Sequence, residues 1–472
     1  MSADAPQPIK TAEIDGDLKA GETKPPRSDA MSGKPSGGWT ALIDDFIAGR
    51  WISPLTGRPA PRPATQTITI SESLEGSEAE LVAVLGELGT LAVVADENTW
   101  EALGRRVAKA LGATDKAVVL GPRPHADLPS AEALKAKLTD ADHVVAVGSG
   151  TINDLCKYVT AQDGRSCSVF ATAASMDGYT SSTASMALPS GLKISLPAHA
   201  PKGAFFDLNV IAAAPPRMAA AGFGDCLCSS VARIDWWMSH RLLDTFFMEE
   251  PYLVAAENDR EMTKRVAGIG RGEVEAIGYL VRALVLSGLG VALTKVSNHG
   301  SMGEHQISHY IDCFAGDRHP GTLHGQQVGV ASLTMARIQA EILGRSTPPE
   351  VAPTEINEAD MARRMGPSIA AECAREYRKK ALDLEAAKAF NENLSRLWPT
   401  LQTDCQQIAI PVMQMKAELE AAGGATTAAQ LGLDPAFYRE AVRHAHEMRN
   451  RFSFADIACD AGLLDDLAAA EG

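Results

Sequence analysis

The segment SNHGSMGEHQISHYIDCF, starting at Ser297, carries His305 and His309 four residues apart, and His324 follows in GTLHGQQVG. The chain has only 11 histidines in 472 residues, so these three, with His319 inside the same twenty positions, stand out. If Ser301 to Ile311 is helical, His305 and His309 share one face. Two imidazoles at that spacing can reach a single ion, as in HExxH sites, or divide their work between an ion and a substrate. His324 comes from the next segment, where Gly325 relaxes the backbone. A catalytic metal normally has three protein ligands and one open position. Asp225, in AAGFGDCLCSS beside a glycine pair, is the carboxylate that would complete such a set. Two histidines and a carboxylate suit zinc, iron, cobalt or nickel. A lone histidine is usually a surface or hydrogen-bonded residue; clustering and glycines favour a site here.

Two further stretches could handle a ligand. VVAVGSGTINDLCKY reads as a strand that ends in Gly148-Ser149-Gly150-Thr151 and passes at once into a helix through Ile152. Glycines let the backbone approach a ligand, and a helix start offers free N–H groups to a phosphate. The motif is neither GxGxxG nor a P-loop, so a tight strand-to-helix turn is an equal reading. Asp96, at the end of LAVVAD, could accept bonds from ribose hydroxyls and repel a 2′-phosphate, or simply cap the next helix. FATAASMDGYTSSTASM is rich in hydroxyls and holds one carboxylate, Asp177. It is either a serine-capped polar loop or one wall of a site, with Asp177 accepting bonds from substrate hydroxyls.

The elements that must position these residues change character along the chain. The first 37 residues are polar and rich in Pro, Gly, Lys and Asp, which predicts a disordered tail without the apolar stretch of a secretory signal. WTALIDDFIAGRWIS predicts a short helix, and PLTGRPAPRPATQ a Pro-rich connector. TLAVVAD, AVVLG, HVVAVGSG and CSVFATA are short apolar runs fit for buried strands. Helical patterns alternate with them: NTWEALGRRVAKALG capped by Asn98 or Thr99, SAEALKAKLTD capped by Ser130, and TINDLCKYVTAQDG. LKISLPAHAPKGAFFDLNV predicts two extended segments. From Arg217 onward the pattern is helical, including MAAAGFGDCLCSSVARIDWWMSHRL. The expected class is α/β: a Rossmann-like parallel-sheet domain over 38–215, then an all-helical metal- and substrate-binding domain over 216–472. A net charge of −15 argues against nucleic acid or anionic membrane as partner. GYLVRALVLSGLGVALTKV carries Arg282 and Lys295 and reads as a buried helix, so no membrane insertion is expected. Eight scattered cysteines without a CxxC pair predict reduced thiols in a cytoplasmic protein.

In order, a strand-GxGT-helix, TAxSxDGYxS, GFGD, EHxxSH and HG resemble the sn-glycerol-1-phosphate dehydrogenases, within the iron-containing alcohol dehydrogenase and dehydroquinate synthase superfamily. The resemblance runs from about Leu91 to Val330 and more weakly beyond. It implies that Gly148, Ser149, Gly150, Thr151 and Ile152 hold the pyrophosphate of NAD or NADP, and that Thr172, Ser175 and Ser181 contact the cofactor; Asp96 joins them from its place at the strand end alone. It implies Asp225, His305 and His324 as ligands of one divalent metal (zinc, nickel or iron), with Asp225 also near the substrate. Asp177 and His309 would face the substrate and carry the catalysis, which would split the i,i+4 histidine pair. The implied reaction interconverts dihydroxyacetone phosphate and sn-glycerol 1-phosphate in a homodimer. The substrate phosphate needs cations, for which Lys193, Lys202, Arg318 and His319 are available. The chain departs from the family pattern in Ser149, Met302 and Gln326. Alternatives are a glycerol or other polyol dehydrogenase, a dehydroquinate-synthase-like lyase, and a non-catalytic nucleotide-binding protein.

Overall fold

The computed structural model of the protein describes residues 33–189 and 191–471, so the first 32 residues of the expected tail lie outside the described residues. Six strands form one parallel sheet: β1 (Thr67–Ser71), β2 (Leu91–Asp96), β3 (Ala117–Leu120), β4 (His143–Gly148), β5 (Ser166–Ala171) and β8 (Gly203–Asp207). Their order across the sheet is β1-β8-β5-β4-β2-β3. An antiparallel pair, β6 (Thr183–Ala187) and β7 (Lys193–Pro197), stands apart from it.

Alternate side chains of each central strand enter different cores. Ala92, Val94, Val144 and Ala146 face the large core that continues into the helical half. Val93, Ala95, Val145 and Val147 join Leu103, Val107 and Phe205 on the other side. Burial on both faces is why these strands read as unbroken apolar runs. At roughly 25 cal/mol per Å² of apolar surface, this double burial is the main force holding the sheet.

Several local expectations are corrected. The sequence reading places no strand between the Pro-rich connector and Leu81, yet TITIS forms β1 at the sheet edge, in register with β8 from Thr67↔Gly203 to Ser71↔Asp207. Its alternating threonines bury only Ile68 and Ile70, too short a signal to stand out. β6 arises within the hydroxyl-rich stretch read as loop. Ser130 is not a cap: Asp127 is, accepting from Ser130 N at 2.7 Å. Likewise Asp96, rather than Asn98 or Thr99, caps its helix, and its Oδ1 accepts from both their amides at 2.8 and 2.9 Å.

Among the described residues no strand follows Asp207. The stretch read as one helix around Asp225 is two, Pro216–Leu227 and Ser229–Leu243, meeting at Cys228. The helix Val274–Thr294 is long and apolar enough to cross a bilayer, but most of it is buried inside the protein. Its Arg282 donates to Trp39 O at 3.1 Å and to Asn258 Oδ1 at 3.0 Å, which satisfies a cation deep in the core. The architecture is thus a parallel six-stranded sheet followed by a mostly helical region.

Candidate active site

Three helices bring the metal-capable donors together. Asp225 lies in the last turn of Pro216–Leu227, His305 and His309 on Gly303–Phe314, and His324 opens His324–Leu343. The first and third of these cross with almost no side chain between them. A Cβ on Gly325 would lie 2.0 Å from Ala221 O, and one on Gly224 2.3 Å from Gly325 O. A Cβ on Gly222 would lie 2.1 Å from Ala174 O, which seats the same helix against the loop leaving β5. Glycine is therefore required for Asp225 to come within reach of His324.

Asp225 Oδ1 is 3.7 Å from His305 Nε2 and 3.9 Å from His324 Nε2. Donors on a 2.0–2.1 Å tetrahedral shell would be roughly 3.3 Å apart, so a small contraction would close this set on one ion. Asp225 Oδ1 is buried and accepts no hydrogen bond, whereas Oδ2 accepts from Asp177 N at 3.1 Å. A buried carboxylate oxygen without a donor is costly unless a cation faces it. The opposite ring nitrogens are oriented. His305 Nδ1 lies 2.8 Å from Glu304 Oε1, and His324 Nδ1 lies 3.1 Å from Ser308 Oγ, which donates to Gln327 Oε1 at 2.8 Å. Such outer partners fix the tautomer that leaves Nε2 free to ligate.

The electrostatics agree. Burial, then the neighbouring Asp177 charge, raises the Asp225 carboxyl well above the ordinary range. Burial pushes His305 down to about 3. His324 and His309 fall well below the ordinary histidine value, by burial first, with His305 next for His324 and Arg449 next for His309. All three imidazoles are neutral near pH 7, the form that binds metal. The donor set fits a divalent cation, whose charge would favour the carboxylate form of Asp225. His309 stands beside the set: its ring centre is 6.3 Å from that of His305 and 5.8 Å from that of His324. Asp177 Oδ2 accepts from Ser287 Oγ at 2.7 Å.

The glycine loop lies at the other end of the arrangement. From β2 the chain passes outward to β3 at the edge, then crosses back to β4 on the other side of β2, so the direction of winding reverses between β2 and β4. In open α/β sheets the crevice at the carboxyl ends of strands at such a point takes ligands. The pairing Val94↔Ala146 leaves Asp96 and Gly148 each two residues further on, at the mouth of this crevice. Ser149 precedes the helix Gly150–Asp163 without a side-chain cap, so the first amides, including those of Thr151 and Ile152, stay open. A Cβ on Gly148 would lie 2.6 Å from the Cβ of Ile152, which excludes any side chain there. Thr172 N donates to Gly148 O at 3.1 Å, and Thr172 and Ser175 are buried beside the loop that leaves β5. Ser181 is buried against Lys157, which donates to Ser181 Oγ at 3.1 Å, Gly178 O at 2.9 Å and Thr183 O at 2.6 Å. Asp154 neutralises that lysine at 2.9 Å.

A cavity of about 540 Å³ opens beside His309, lined on one side by Thr180 to Thr183 and on the other by Lys295, Ser297 and Arg449 to Arg451. Lys193 also lines it, but its Nζ pairs with Asp312 at 2.8 Å. The other cations suggested for a phosphate are elsewhere. Arg318 packs over Phe437, His319 Nε2 approaches Asp312 Oδ1 at 3.2 Å, and neither these nor Lys202 line the cavity. Sequence reasoning missed Glu304, Lys157, Ser287, Arg449 and Arg451. Adjacency to His305 could have flagged Glu304. A buried lysine within an ordinary helix, or an arginine 140 positions from His309, carries no local signal.

The family model of iron-containing alcohol dehydrogenases matches residues 69–215. Glycerol-1-phosphate dehydrogenase (NAD(P)+) of Bacillus velezensis is 33% identical over 259 residues, 53% of this chain and 66% of the relative, slightly under two thirds of its length. Its counterpart in Bacillus licheniformis is 29% identical over 389 residues, 80% of this chain and 84% of the relative. Among solved structures, a probable glycerol dehydrogenase from Sinorhizobium meliloti 1021 superposes with a TM-score of 0.57 at 18% identity, covering 86% of this chain and 98% of that one. Glycerol dehydrogenase from Schizosaccharomyces pombe gives 0.56 at 17% identity, covering 86% and 90%; at these identities the two structures speak for the fold alone. Together with the sheet order and the converging Asp–His–His donors, these matches make the chain a member of the iron-containing alcohol dehydrogenase superfamily.

Proposed function

We propose that the protein interconverts dihydroxyacetone phosphate and sn-glycerol 1-phosphate. The observation that carries this reading is the orphaned Asp225 Oδ1 facing two neutral imidazoles, next to a cation-lined cavity. The relatives are glycerol-1-phosphate dehydrogenases, which supports the same reading. In this reading Asp225, His305 and His324 hold the metal, zinc, nickel or iron. Gly148, Ser149, Gly150, Thr151 and Ile152 hold the cofactor pyrophosphate; Thr172, Ser175 and Ser181 border the cofactor, and Asp96 turns its second carboxylate oxygen toward the ribose. The proposed division falls at 215/216, the sheet half serving the cofactor and the helical half the metal.

When bound, the metal supplies Lewis acidity toward the substrate oxygen, and the nicotinamide supplies hydride. Asp177, held by Ser287, accepts a bond from a substrate hydroxyl and so selects the face presented to the cofactor. Asp225, held through Oδ2 by the Asp177 amide, keeps substrate and donors in one frame. His309, neutral and within the cavity lining, takes or returns the hydroxyl proton at a ring nitrogen. The eight unpaired thiols support a cytoplasmic setting, and a homodimer is proposed from the family resemblance.

The test is metal analysis of the purified protein combined with coenzyme oxidation, using dihydroxyacetone and its phosphate separately. Turnover of the phosphate, lost on chelation and restored by one metal per chain, is expected. Equal turnover of both ketones would point to a polyol dehydrogenase instead, and full activity in metal-free protein would overturn the metal assignment.

A further inference from the structure

The cavity beside His309 has an end that the assigned roles leave unused. Arg449 Nη2 lies 3.3 and 3.4 Å from the two ring nitrogens of His309, nearly equidistant from both. Among the described residues no carboxylate forms an ion pair with Arg449 or Lys295, which line the cavity together with Arg451; the buried Glu304 carboxyl acts on Arg451 only. Arg451 is fixed, donating to Ser301 O and, at 2.8 Å, to Ser297 Oγ. The two carboxylates on the lining are turned to other cations: Glu376 pairs with Lys379 at 2.6 Å, and Glu372 with Arg375 at 3.7 Å. Lys193 is neutralised by Asp312.

The backbone carrying the two arginines is locked from both sides. Before it, Glu447 is clamped by Arg364 at 2.8 and 3.0 Å. After it, Ser453 and Asp456 close a capping box, Phe454 N donates to Asp235 Oδ1 at 3.1 Å, and buried Lys380 pairs with Asp456 at 2.6 Å. Arg451 O itself accepts from Lys380 Nζ at 2.8 Å and Gln306 Nε2 at 3.1 Å. A guanidinium held without a counter-ion in a part-buried cavity is unfavourable in the empty protein, and a dianion resolves it. Arg449 presents a planar fork of donors suited to a phosphoryl group.

We propose that Arg449, backed by Arg451 and Lys295, binds the phosphoryl group of the substrate and sets the discrimination between phosphorylated and unphosphorylated ketone. This deepens the functional reading above and rests on it. The geometry places the phosphoryl end against His309, so the reactive carbon of a three-carbon substrate falls toward the Asp225–His305–His324 donors.

The experiment compares the full-length metal-loaded protein with Arg449→Ala, Arg449→Lys and Lys295→Ala. For each, kcat/KM is measured with dihydroxyacetone phosphate and with dihydroxyacetone, and inorganic phosphate binding is followed by calorimetry. Charge-assisted hydrogen bonds of this kind imply a drop in the phosphate-over-free-ketone ratio on the order of 100-fold for Arg449→Ala, with a smaller drop for the other two. Phosphate binding should weaken in parallel, while metal content stays at the unsubstituted level. Arg449→Lys keeps the charge but not the fork, so it remains informative if the alanine variant fails to fold. A ratio and a phosphate affinity within threefold of the unsubstituted protein, in Arg449→Lys and Lys295→Ala alike, would overturn the subsite. If the unsubstituted protein itself does not prefer the phosphorylated ketone, the functional reading fails, a distinct result from a preference that survives loss of Arg449.

Discussion

At the scale of single residues, the donors separate by what else touches them. Asp225 and His305 have no compensating partner on their metal-facing atoms, whereas His309 is contacted by Arg449. Asp225→Asn or His305→Ala should therefore lose bound metal and turnover together, measured by elemental analysis and coenzyme oxidation. His309→Ala should cut turnover by roughly 100-fold, the usual contribution of a positioned acid–base group, with metal content kept. Equal loss of metal in His309→Ala would make it a ligand. His143 gives a separate pH test. It is fully buried between Ser166 and Ser168 Oγ, at 2.7 and 2.9 Å, and burial, then Lys202 and His199, lower it to about 4. A depressed histidine binds its proton less readily when folded, so its contribution is present above pH 6.5 and is lost as pH falls through 4. The loss amounts to about 3 kcal/mol. Urea midpoints at pH 7 and 4.5 should show it, and a His143→Asn variant with an equally steep acid limb would remove His143 from the account.

At the scale of elements, the decisive contact is the helix crossing at Gly224 and Gly325. A methyl at 325 meets the Ala221 carbonyl, a backbone atom that cannot rotate away. Gly325→Ala should cost about 1–3 kcal/mol of stability, as overpacked contacts do, and also weaken metal retention, because His324 is the next residue. Unchanged melting with full metal content would mean the crossing is more pliant than its geometry implies. At the sheet end, Asp96 spends Oδ1 on its helix cap and leaves a second oxygen at the mouth of the β2–β4 crevice. Asp96→Ala should lose about 1 kcal/mol of capping and narrow any preference for NADH over NADPH. A preference ratio that does not move would leave Asp96 as a cap only.

At the scale of the whole molecule, the donors come from three helices spread over a hundred positions, so an ion bridging them would tie the helical half together. A ligand that binds only the folded chain stabilises it, by about 2.7 kcal/mol at a hundred times its dissociation constant. Chelation should lower the thermal midpoint and metal should restore it; a midpoint indifferent to metal would argue against a bridging ion. The alternation of buried strands and helices, the helical second half and the crowding of His305, His309 and His324 were legible as local patterns. β1 was not, because five residues with two buried isoleucines carry little periodicity, and its partner β8 lies more than 130 positions away. The split of one expected helix at Cys228 and the capping by Asp127 were equally hidden, whereas the cap at Asp96 was legible as one of two readings of that carboxylate.

By itself, the sequence determined what depends on neighbours along the chain: apolar runs that must be buried on both faces, glycines where backbone must come close, and imidazoles four apart on one helix face. Only the tertiary structure decided which carboxylate meets those imidazoles at 3.7 and 3.9 Å, that its oxygen has no hydrogen-bond partner, and that Arg449 stands over His309 from 140 positions away. The physical reason is that ligation and charge compensation depend on distance in space, and the packing of small residues between helices sets that distance without leaving a repeat in the chain.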